Sequence, residues 1–549
     1  MSGRSKILNL KNINELYEEY SSKNKILKRT KLCDYYYSRL IDDVILNLKN
    51  FYDVNWNFKS WELFIGPFVH RYVSVIYDRI EFYYYLNKKK INLSSKKNQK
   101  LHPIASKRDD FLKLIEDDSW NINLLNLIYS KIKKKKVNKQ LNDNLKKKKR
   151  VIDFNFKFLK YFFYRLLKSR EKILIYKPYW NNKIELAKLL LKLKIFPIKL
   201  DYNFTSSYQK KKNAIRFSNF KTKFKNLDKN EKLLRNIFFD LMPEFYIEDF
   251  ETIKTESKKL PLSNNLKKIY SSLCIWEDTV FKFWLCENLH RLKLYYSQHG
   301  VNYGMTLYSY SQVFEKKLSD FYLTWGWNEK KNKNIVPFYS TKVKINQKSD
   351  KNLKKKILII NSKCFKYLPE NHTAIFYGYE SKKYNEKVQE LLRIIPKNSR
   401  KNFYIKNYPY ETLSNPYNLN YLKNQFINYN FINDKENIFA LLENSELVIH
   451  TYMGTTFLEC IRSNIPCLLI MDVDKSLLNF KTKKLLKYLE KKNIVHKNQQ
   501  KLIRFIQHPN FNIKDWWNDK NLQAKVKIFC KEFVRATNSL SGEIYKKLA

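Results

Sequence analysis

A histidine next to a glycine is the first group in this sequence that could do chemistry. Residues 298–304 read Gln-His-Gly-Val-Asn-Tyr-Gly and directly follow the largely apolar stretch 292–297, which predicts a strand. The carboxyl end of a parallel strand faces a ligand crevice, and a neutral imidazole can take a proton from an acceptor hydroxyl or, once protonated, donate to a phosphate. We therefore predict that His299 is a catalytic base with a pKa near its usual value, with Asp320 to orient it or to replace it. The alternative is a structural histidine.

A second candidate site is the strand, turn and short helix encoded by residues 447–470. Gly454 and Thr455 form the turn, and a helix beginning at about Thr456 would direct free N–H groups and a positive dipole end towards it, as a diphosphate requires. Glu459, one turn into the helix, could accept ribose hydroxyls. The same Thr-x-x-Glu spacing equally fits a capping box, in which both side chains only satisfy backbone amides.

Glycine is scarce, with 8 residues in 549, and three glycines fall within the 27 residues that start at Gly300. Glycine is needed where φ is positive or where a ligand approaches the backbone closely. This clustering predicts loops at strand ends, either around a ligand or as tight turns without one. We expect these loops to lie at a cleft, and the loop and cleft residues to be Gln298, Gly300, Tyr303, Gly304, Trp325, Gly326 and Trp327.

Short apolar segments alternate with helical patterns from about residue 151 onward, which predicts βαβ units and parallel sheets. The residues before 151 have apolar positions three and four apart, which is typical of helices. The expected strands are 173–176, 195–200, 292–297, 321–325, 357–360, 402–406, 447–450 and 467–470.

This pattern predicts an α/β chain with two Rossmann-like halves and a helical N-terminal region, the polar stretch 328–356 linking the halves. The cleft between the halves should bring 298–304 and 454–459 face to face. The expected units are a helical region at 1–150, a first Rossmann-like domain at 151–330, a second at 350–515 and a C-terminal helix at 516–549 that packs back.

The formal net charge of +54 could indicate a nucleic-acid partner. The Lys excess, however, accompanies much Asn, Ile, Tyr and Phe and little Gly and Pro, as an AT-rich coding sequence would produce. Lys is used far more than Arg, which argues against evolved phosphate-binding forks. We expect no nucleic-acid partner, and a basic face for anionic lipid or a polyanionic substrate stays open.

The seven cysteines form no C-x-x-C pair, which predicts reduced thiols. The sequence has no signal-peptide pattern and no apolar stretch approaching about 18 residues. We therefore expect a cytoplasmic protein, with the inner face of the plasma membrane as a place of peripheral contact. His and Asp residues show no metal-ligand spacing, so we expect neither a metal nor a cofactor.

Three motifs together resemble a family of transferases from O-antigen and surface-polysaccharide biosynthesis clusters. They are 298–304, the Ser-Asp-Phe-Tyr-Leu-Thr-Trp-Gly-Trp run at 319–327, and the Thr-Thr-x-x-Glu helix at 455–459. Residues 447–470 are also similar to the nucleotide-sugar signature of GT-B glycosyltransferases. The resemblance implies a GT-B-like fold. It also implies a donor site at Gly454, Thr455, Thr456, Glu459 and Lys406, although Arg is the residue expected at position 406.

The resulting hypothesis is a glycosyltransferase that uses a nucleotide-sugar as co-substrate and a lipid-linked or polysaccharide acceptor. One alternative is a polyol-phosphate transferase with a CDP-linked donor, which would also use a histidine base and a helix-end phosphate site. A second alternative is a non-catalytic protein that binds polyanions or nucleic acid.

Overall fold

Two parallel β-sheets with flanking helices form the body of the chain in the computed structural model. The structure describes residues 7–22, 26–93, 105, 108–133, 171–195, 219–276, 279–329, 331–343, 356–408, 419–433 and 436–549. The expected strand at 195–200 lies outside these ranges except for Ile195, and residues 344–355 of the polar stretch 328–356 also lie outside them.

The N-terminal region is helical in its described parts, as predicted. Its elements are β1 (Ile7–Leu8), α1 (Ile13–Ser21), α2 (Ile26–Lys49), α3 (Phe58–Lys88), β2 (Asn92–Leu93), α4 (Arg108–Ile115) and α5 (Asp118–Ile132). Helix α3 is apolar almost all round and buried along most of its length, as expected of a helix surrounded by others. Its buried Asp78 is neutralised by Arg29 and Arg79, each 2.6 Å away.

The first sheet has five parallel strands whose spatial order follows the chain, β3-β4-β5-β6-β7. The strands are β3 (Ile173–Tyr176), β4 (Lys268–Ser271), β5 (Lys293–Ser297), β6 (Phe321–Thr324) and β7 (Ile335–Pro337). The helices are α6 (Lys183–Leu193), α7 (Lys229–Asn236), α8 (Phe238–Leu241), α9 (Glu244–Ile247), α10 (Phe250–Lys258), α11 (Thr279–Asn288) and α12 (Tyr310–Leu318), with a 3₁₀ turn at Leu289–Arg291.

The second sheet has six parallel strands in the order β12-β11-β8-β13-β14-β15. They are β8 (Ile357–Ile360), β11 (Phe403–Lys406), β12 (Asn430–Phe431), β13 (Leu447–His450), β14 (Cys467–Ile470) and β15 (Val495–His496), while β9 (Cys364–Phe365) and β10 (Phe376–Tyr377) pair separately. From β8 the chain continues to β11 and β12 on one side of β8, and it then crosses to β13 on the other side. This reversal is a topological switch point of an open α/β sheet, and in such sheets ligands bind beyond the carboxyl ends of the strands at that point.

Helices cover the second sheet and then return to the first one. They are α13 (Tyr379–Ile394), α14 (Leu419–Gln425), α15 (Ile438–Glu443), α16 (Thr455–Arg462), α17 (Phe480–Glu490), α18 (Gln499–Ile506), α19 (Ile513–Trp517), α20 (Lys520–Phe533) and α21 (Leu540–Leu548), with a 3₁₀ segment at Lys397–Asn402. Helix α20 packs on α16 and α17, whereas α21 packs on α6. There the Ser541 N–H and hydroxyl donate to Glu185 Oε2 over 2.9 and 2.8 Å.

Backbone contacts join the two halves directly. Thr306 and Leu478 form an antiparallel bridge, and Arg535 N donates to Trp325 O over 2.8 Å. The predicted α/β fold class, with two parallel sheets and a helical N-terminal region, is therefore confirmed.

All seven cysteines are buried and none of them forms a disulfide bond. Among the described helices, none combines the length and the apolar character needed to cross a bilayer.

Candidate functional site

The loop after β5 and the start of α16 form the two walls of one crevice. Val301 N donates to Thr455 Oγ1 over 3.3 Å, and a Cβ on Gly300 would lie 4.0 Å from the same oxygen. The expectation that 298–304 and 454–459 face each other is confirmed. Because α16 follows β13, this wall also lies at the switch point of the second sheet.

Helix α16 begins with a free N-terminus. Its N-cap is Gly454, which has extended backbone and offers no side chain to the first-turn amides. Thr456 is the second helical residue, and its hydroxyl lies 3.5 Å from His450 Nδ1. The capping-box alternative for Thr456 and Glu459 is therefore wrong. An uncapped N-terminus leaves N–H groups and the positive end of the dipole available to an anion.

Glu459 is nearly buried, with 6% of the residue exposed, and lines a narrow recess together with Val343 and Ser463. Burial raises its pKa to about 7, and the nearby Lys342 opposes that rise. Because Ser463 is the C-cap of α16, this recess lies along the helix towards its C-terminal end, and the carboxylate there can accept hydrogen bonds from hydroxyl groups of a ligand.

Lys342 is a cation of this crevice that the sequence did not single out. It follows β7, and its Nζ lies 3.1 Å from the centre of the Tyr179 ring and 3.3 Å from Asn181 Oδ1. Burial lowers its pKa to about 8, and Glu459 partly opposes this effect. The Tyr179 ring in turn lies 6.1 Å from the His299 ring, which places Lys342 between the two walls.

The loop that carries Tyr179 is strained. Lys177 and Tyr179 have φ values of 43° and 56°, in the left-handed region that non-glycine residues rarely adopt. Such conformations persist only where the surrounding structure enforces them, and they concentrate at ligand sites.

His299 is held by Glu315 of α12 and by Tyr303. Its Nδ1 lies 3.4 Å from Glu315 Oε1, and its Nε2 lies 3.4 Å from the Tyr303 hydroxyl. Desolvation and the positive charge of Lys342 lower the pKa of His299 to about 4, so the expectation of an ordinary imidazole pKa is wrong. The ring is neutral at physiological pH, as a base must be before it accepts a proton.

Glu315 is fully buried among hydroxyl and indole groups. Trp276 Nε1 donates to it over 2.7 Å, and the hydroxyls of Tyr303 and Tyr322 donate over 2.9 Å each. Desolvation raises the pKa of Glu315 to about 8, although all three donors act in the opposite direction. The carboxyl group and the imidazole, 3.4 Å apart, therefore have pKa values that burial shifts in opposite directions.

Asp320 does not orient His299, and this expectation is wrong. Asp320 immediately precedes β6, where its Oδ2 accepts from Leu294 N over 2.8 Å and its Oδ1 lies 3.3 Å from Lys59 Nζ. His299 follows the opposite end of the neighbouring strand, about 15 Å away at roughly 3.3 Å per residue. An aspartate is a suitable partner for a histidine, but the length of the strand separates these two side chains.

Gln298 and its aromatic neighbours form the framework of the crevice rather than its lining. The Gln298 Oε1 atom accepts from Trp325 N and Trp327 Nε1 over 3.0 and 2.8 Å. All three side chains are buried, so the expectation that they face a ligand is wrong. Gly304 has a φ of +69°, and a Cβ there would lie 2.3 Å from the Trp327 ring. This close packing fixes the loop that presents His299.

Lys406 ends β11, two strands away from β13 across β8. That separation is about 10 Å from strand to strand. Its Nζ donates to Asn433 O over 2.5 Å, and the residue is 3% exposed. The geometry does not bring Lys406 to the start of α16, and a donor-binding role for it stays a prediction.

Comparison with known proteins identifies the family. The profile of the LIC12162 family transferases matches residues 2–548. The chain belongs to this family. Comparison with the curated proteins finds no match to the sequence.

Solved structures give weaker similarities. MurG of Acinetobacter baumannii has 8% identity and a TM-score of 0.27, with 55% of this chain and 76% of that chain covered. A variant of the wall teichoic acid polymerase TagF has 11% identity and a TM-score of 0.29, covering 51% and 72%. The N-terminal domain of Candida albicans trehalose-6-phosphate phosphatase has 12% identity and a TM-score of 0.31, covering 71% and 92%. Such TM-scores are too low to establish a function.

Sequence reasoning missed Glu315 and Lys342 in this LIC12162 family transferase for different reasons. Glu315 follows Phe314 and precedes Leu318 by three residues, so it lies beside the buried stripe of α12, and a charge there was a detectable signal. Lys342 stands in a polar, Lys-rich stretch in which no lysine is distinguishable from the others. Only the fold brings it to the crevice.

Proposed function

We propose that this transferase is a glycosyltransferase that moves a sugar from a nucleotide-sugar donor to an acceptor of surface-polysaccharide biosynthesis, such as an O-antigen or capsule precursor. The observation that carries the proposal is the contact between the walls, Val301 N to Thr455 Oγ1, at 3.3 Å. It places a neutral imidazole opposite an uncapped helix N-terminus. Glycosyl transfer needs these two functions, a base for the acceptor and electrostatic stabilisation for the leaving diphosphate.

The donor binds on the α16 wall in this proposal. The first-turn amides and the hydroxyls of Thr455 and Thr456 contact the diphosphate, and Glu459 accepts the ribose hydroxyls. The Lys342 ammonium group adds positive charge beside the same recess. As the bond between the anomeric carbon and the phosphate oxygen breaks, its electron pair passes to the diphosphate, and these groups stabilise the growing negative charge.

The acceptor binds on the His299 wall. Its hydroxyl oxygen forms the new bond to the anomeric carbon while the proton passes to the imidazole. The Glu315 carboxylate then stabilises the imidazolium, because an opposite charge 3.4 Å away in a buried site interacts strongly. Glu315 acts here as a positioning residue, since it lies behind the histidine.

A lipid-linked acceptor completes the proposal. Such a precursor would be met at the inner face of the plasma membrane, where the basic character of the chain favours anionic lipid. Peripheral attachment is consistent with the described residues, in which no helix has the length and apolar character of a membrane span.

A thermal-shift screen with UDP-, GDP-, CDP- and CMP-sugars tests the donor assignment. A donor present at about 100 times its Kd stabilises the fold by about 2.7 kcal/mol, which raises the unfolding temperature measurably. The proposal expects one nucleotide class to stabilise the protein selectively. A chain that none of these donors stabilises at millimolar concentration would not be a nucleotide-sugar enzyme.

Glu459→Gln then tests the ribose contact. The variant should keep its unfolding temperature but lose about 1–3 kcal/mol of donor affinity by calorimetry, since a charge-assisted hydrogen bond is weakened. Because the carboxylate is the accepting form, wild-type affinity should rise with pH through about 7, and this rise should be absent from the variant. Glu446→Gln, before the opposite end of β13, is the matched control and should bind normally. An unchanged Kd for Glu459→Gln would return Glu459 to a structural role.

A further inference from the structure

Two of the most exposed aliphatic side chains in the described residues lie on one face of α6. Ile184 is 70% exposed and Leu191 is 78% exposed, and Ala187 between them is also exposed. Residues spaced by three, four and seven share one side of a helix. Leu189, on the other side, is fully buried. A helix that faces only water carries polar groups where α6 carries this apolar stripe.

Lysines flank the stripe. On a helical wheel Lys188 and Lys192 lie on one side of it and Lys183 on the other, with Lys194 at the C-cap, and all four are exposed. The acidic residue of the helix, Glu185, turns inward to Ser541 and also accepts from Lys188 Nζ over 3.0 Å. On the adjoining α21, Glu543 pairs with Lys546 at 2.9 Å. These seven exposed residues, Lys183, Ile184, Ala187, Lys188, Leu191, Lys192 and Lys194, are called the outer face of α6.

We propose that the outer face of α6 docks on the surface of an anionic phospholipid bilayer. A helix with an apolar stripe between lysines lies in the interface of a membrane, with its apolar side chains at the acyl boundary. The lysine stems extend along the apolar region while their ammonium groups reach the lipid phosphates. Charge complementarity selects this occupant, because pairing with a second copy of the same face would bring lysines against lysines.

Docking through this face would place the crevice at the membrane. Helix α6 starts directly after the loop that carries Tyr179, whose ring lies 6.1 Å from that of His299. The mouth of the candidate site is thus next to the docking helix. The inference goes beyond the proposed function and does not depend on it, since it concerns lipid binding without donor or acceptor.

Vesicle co-sedimentation of the full chain, without any nucleotide-sugar, tests the inference. Vesicles of phosphatidylglycerol and phosphatidylcholine in equal parts should bind the wild type, and vesicles of phosphatidylcholine alone should bind it much less. Ile184→Ser combined with Leu191→Ser should lower the partition coefficient by about tenfold or more, because two apolar side chains no longer leave water. Raising the ionic strength should weaken the binding of the wild type.

The matched control is Ile427→Ser, because Ile427 is 80% exposed but lies on the second half of the chain. This variant should bind the mixed vesicles as the wild type does. Three outcomes would overturn the inference: no binding of the wild type to anionic vesicles, an equal loss with Ile427→Ser, or a wild-type dimer that the double variant converts to monomer. Lipid binding through α6 without any nucleotide-sugar binding would instead contradict only the proposed function.

Discussion

At the scale of single residues, the pair of His299 and Glu315 explains how a partly buried histidine can serve as a base. A proton on His299 removes the base, and a proton on Glu315 removes the charge that stabilises the imidazolium, so the active form has a neutral imidazole and an ionised carboxylate. Burial raises the pKa of Glu315 to about 8 and lowers that of His299 to about 4. The first proton that the pair takes up as pH falls therefore goes to Glu315.

His299→Ala tests the assignment of the base. The side chain is 23% exposed and its polar contacts are long, so the variant should fold normally. Turnover should fall by about 10²–10⁴ with little change in donor affinity, since the donor contacts belong to the other wall. His290→Ala, which changes an exposed histidine before the amino end of β5, should leave turnover unaltered. Lost donor affinity with intact single-turnover chemistry would instead make His299 a donor contact.

Glu315→Gln tests the coupling through the pH profile. For the wild type, kcat/KM should rise with pH through about 8, because the active ionised form of Glu315 is gained as pH rises through its raised pKa. In the variant this limb should vanish from the neutral and alkaline range, and the plateau should fall by about tenfold or more, because glutamine cannot neutralise the imidazolium. A variant that keeps the limb near pH 8 would show that another group controls the base.

The sequence supported the choice of His299, because a histidine after an apolar strand and before glycines lies at the carboxyl end of that strand. It did not support the choice of its partner. Asp320 is nearer to the Gly-Trp motif in sequence but precedes its strand, whereas Glu315 reaches the histidine from a helix. Which end of a strand a residue occupies decides such a pairing, and residue types alone do not show it.

At the scale of elements, the start of α16 and the loop after β5 form the walls of the crevice. The strands beside α16 match their predicted bounds at 447–450 and 467–470, because continuous apolar runs between turn residues are read easily. Strand β4 was not predicted, since Lys268-Ile-Tyr-Ser is short and begins with a lysine. The switch point was also beyond prediction, because strand order depends on contacts between distant segments.

Gly326→Ala tests whether the loop after β6 must approach α20 closely. Gly326 has a φ of +132°, and a Cβ there would lie 2.5 Å from Lys531 O, which is backbone and cannot rotate away. The variant should lose about 1–3 kcal/mol in the free energy of unfolding, measured by urea denaturation. Gly300→Ala is the control, since its nearest atom would be 3.8 Å away, and it should change stability by about 0.5 kcal/mol or less. Equal denaturation midpoints for the two variants would contradict this account of the loop.

At the scale of the whole molecule, the two halves form one structural unit because the chain crosses between them repeatedly. The 302–309 segment bridges to the second half, and α21 returns to pack on α6 of the first. The alternation of strands and helices predicted two parallel-sheet halves. Of the contacts between the halves, the sequence predicted only the one between residues 298–304 and 454–459. The net charge of +54 carries little information on function by itself, since its meaning depends on where the lysines lie.

The identity of the nucleotide that the enzyme releases distinguishes glycosyl transfer from polyol-phosphate transfer. The donor that stabilises the protein would be incubated with the enzyme and a membrane extract containing lipid-linked acceptors, and the nucleotide products separated by ion-exchange chromatography. For a diphosphate-linked sugar donor, glycosyl transfer breaks the bond at the anomeric carbon. We therefore expect the wild type to release the nucleoside diphosphate, and His299→Ala to release it about 10²–10⁴ times more slowly. Release of CMP from a CDP-linked polyol would show cleavage between the two phosphates, as in polyol-phosphate transfer, and would contradict the account.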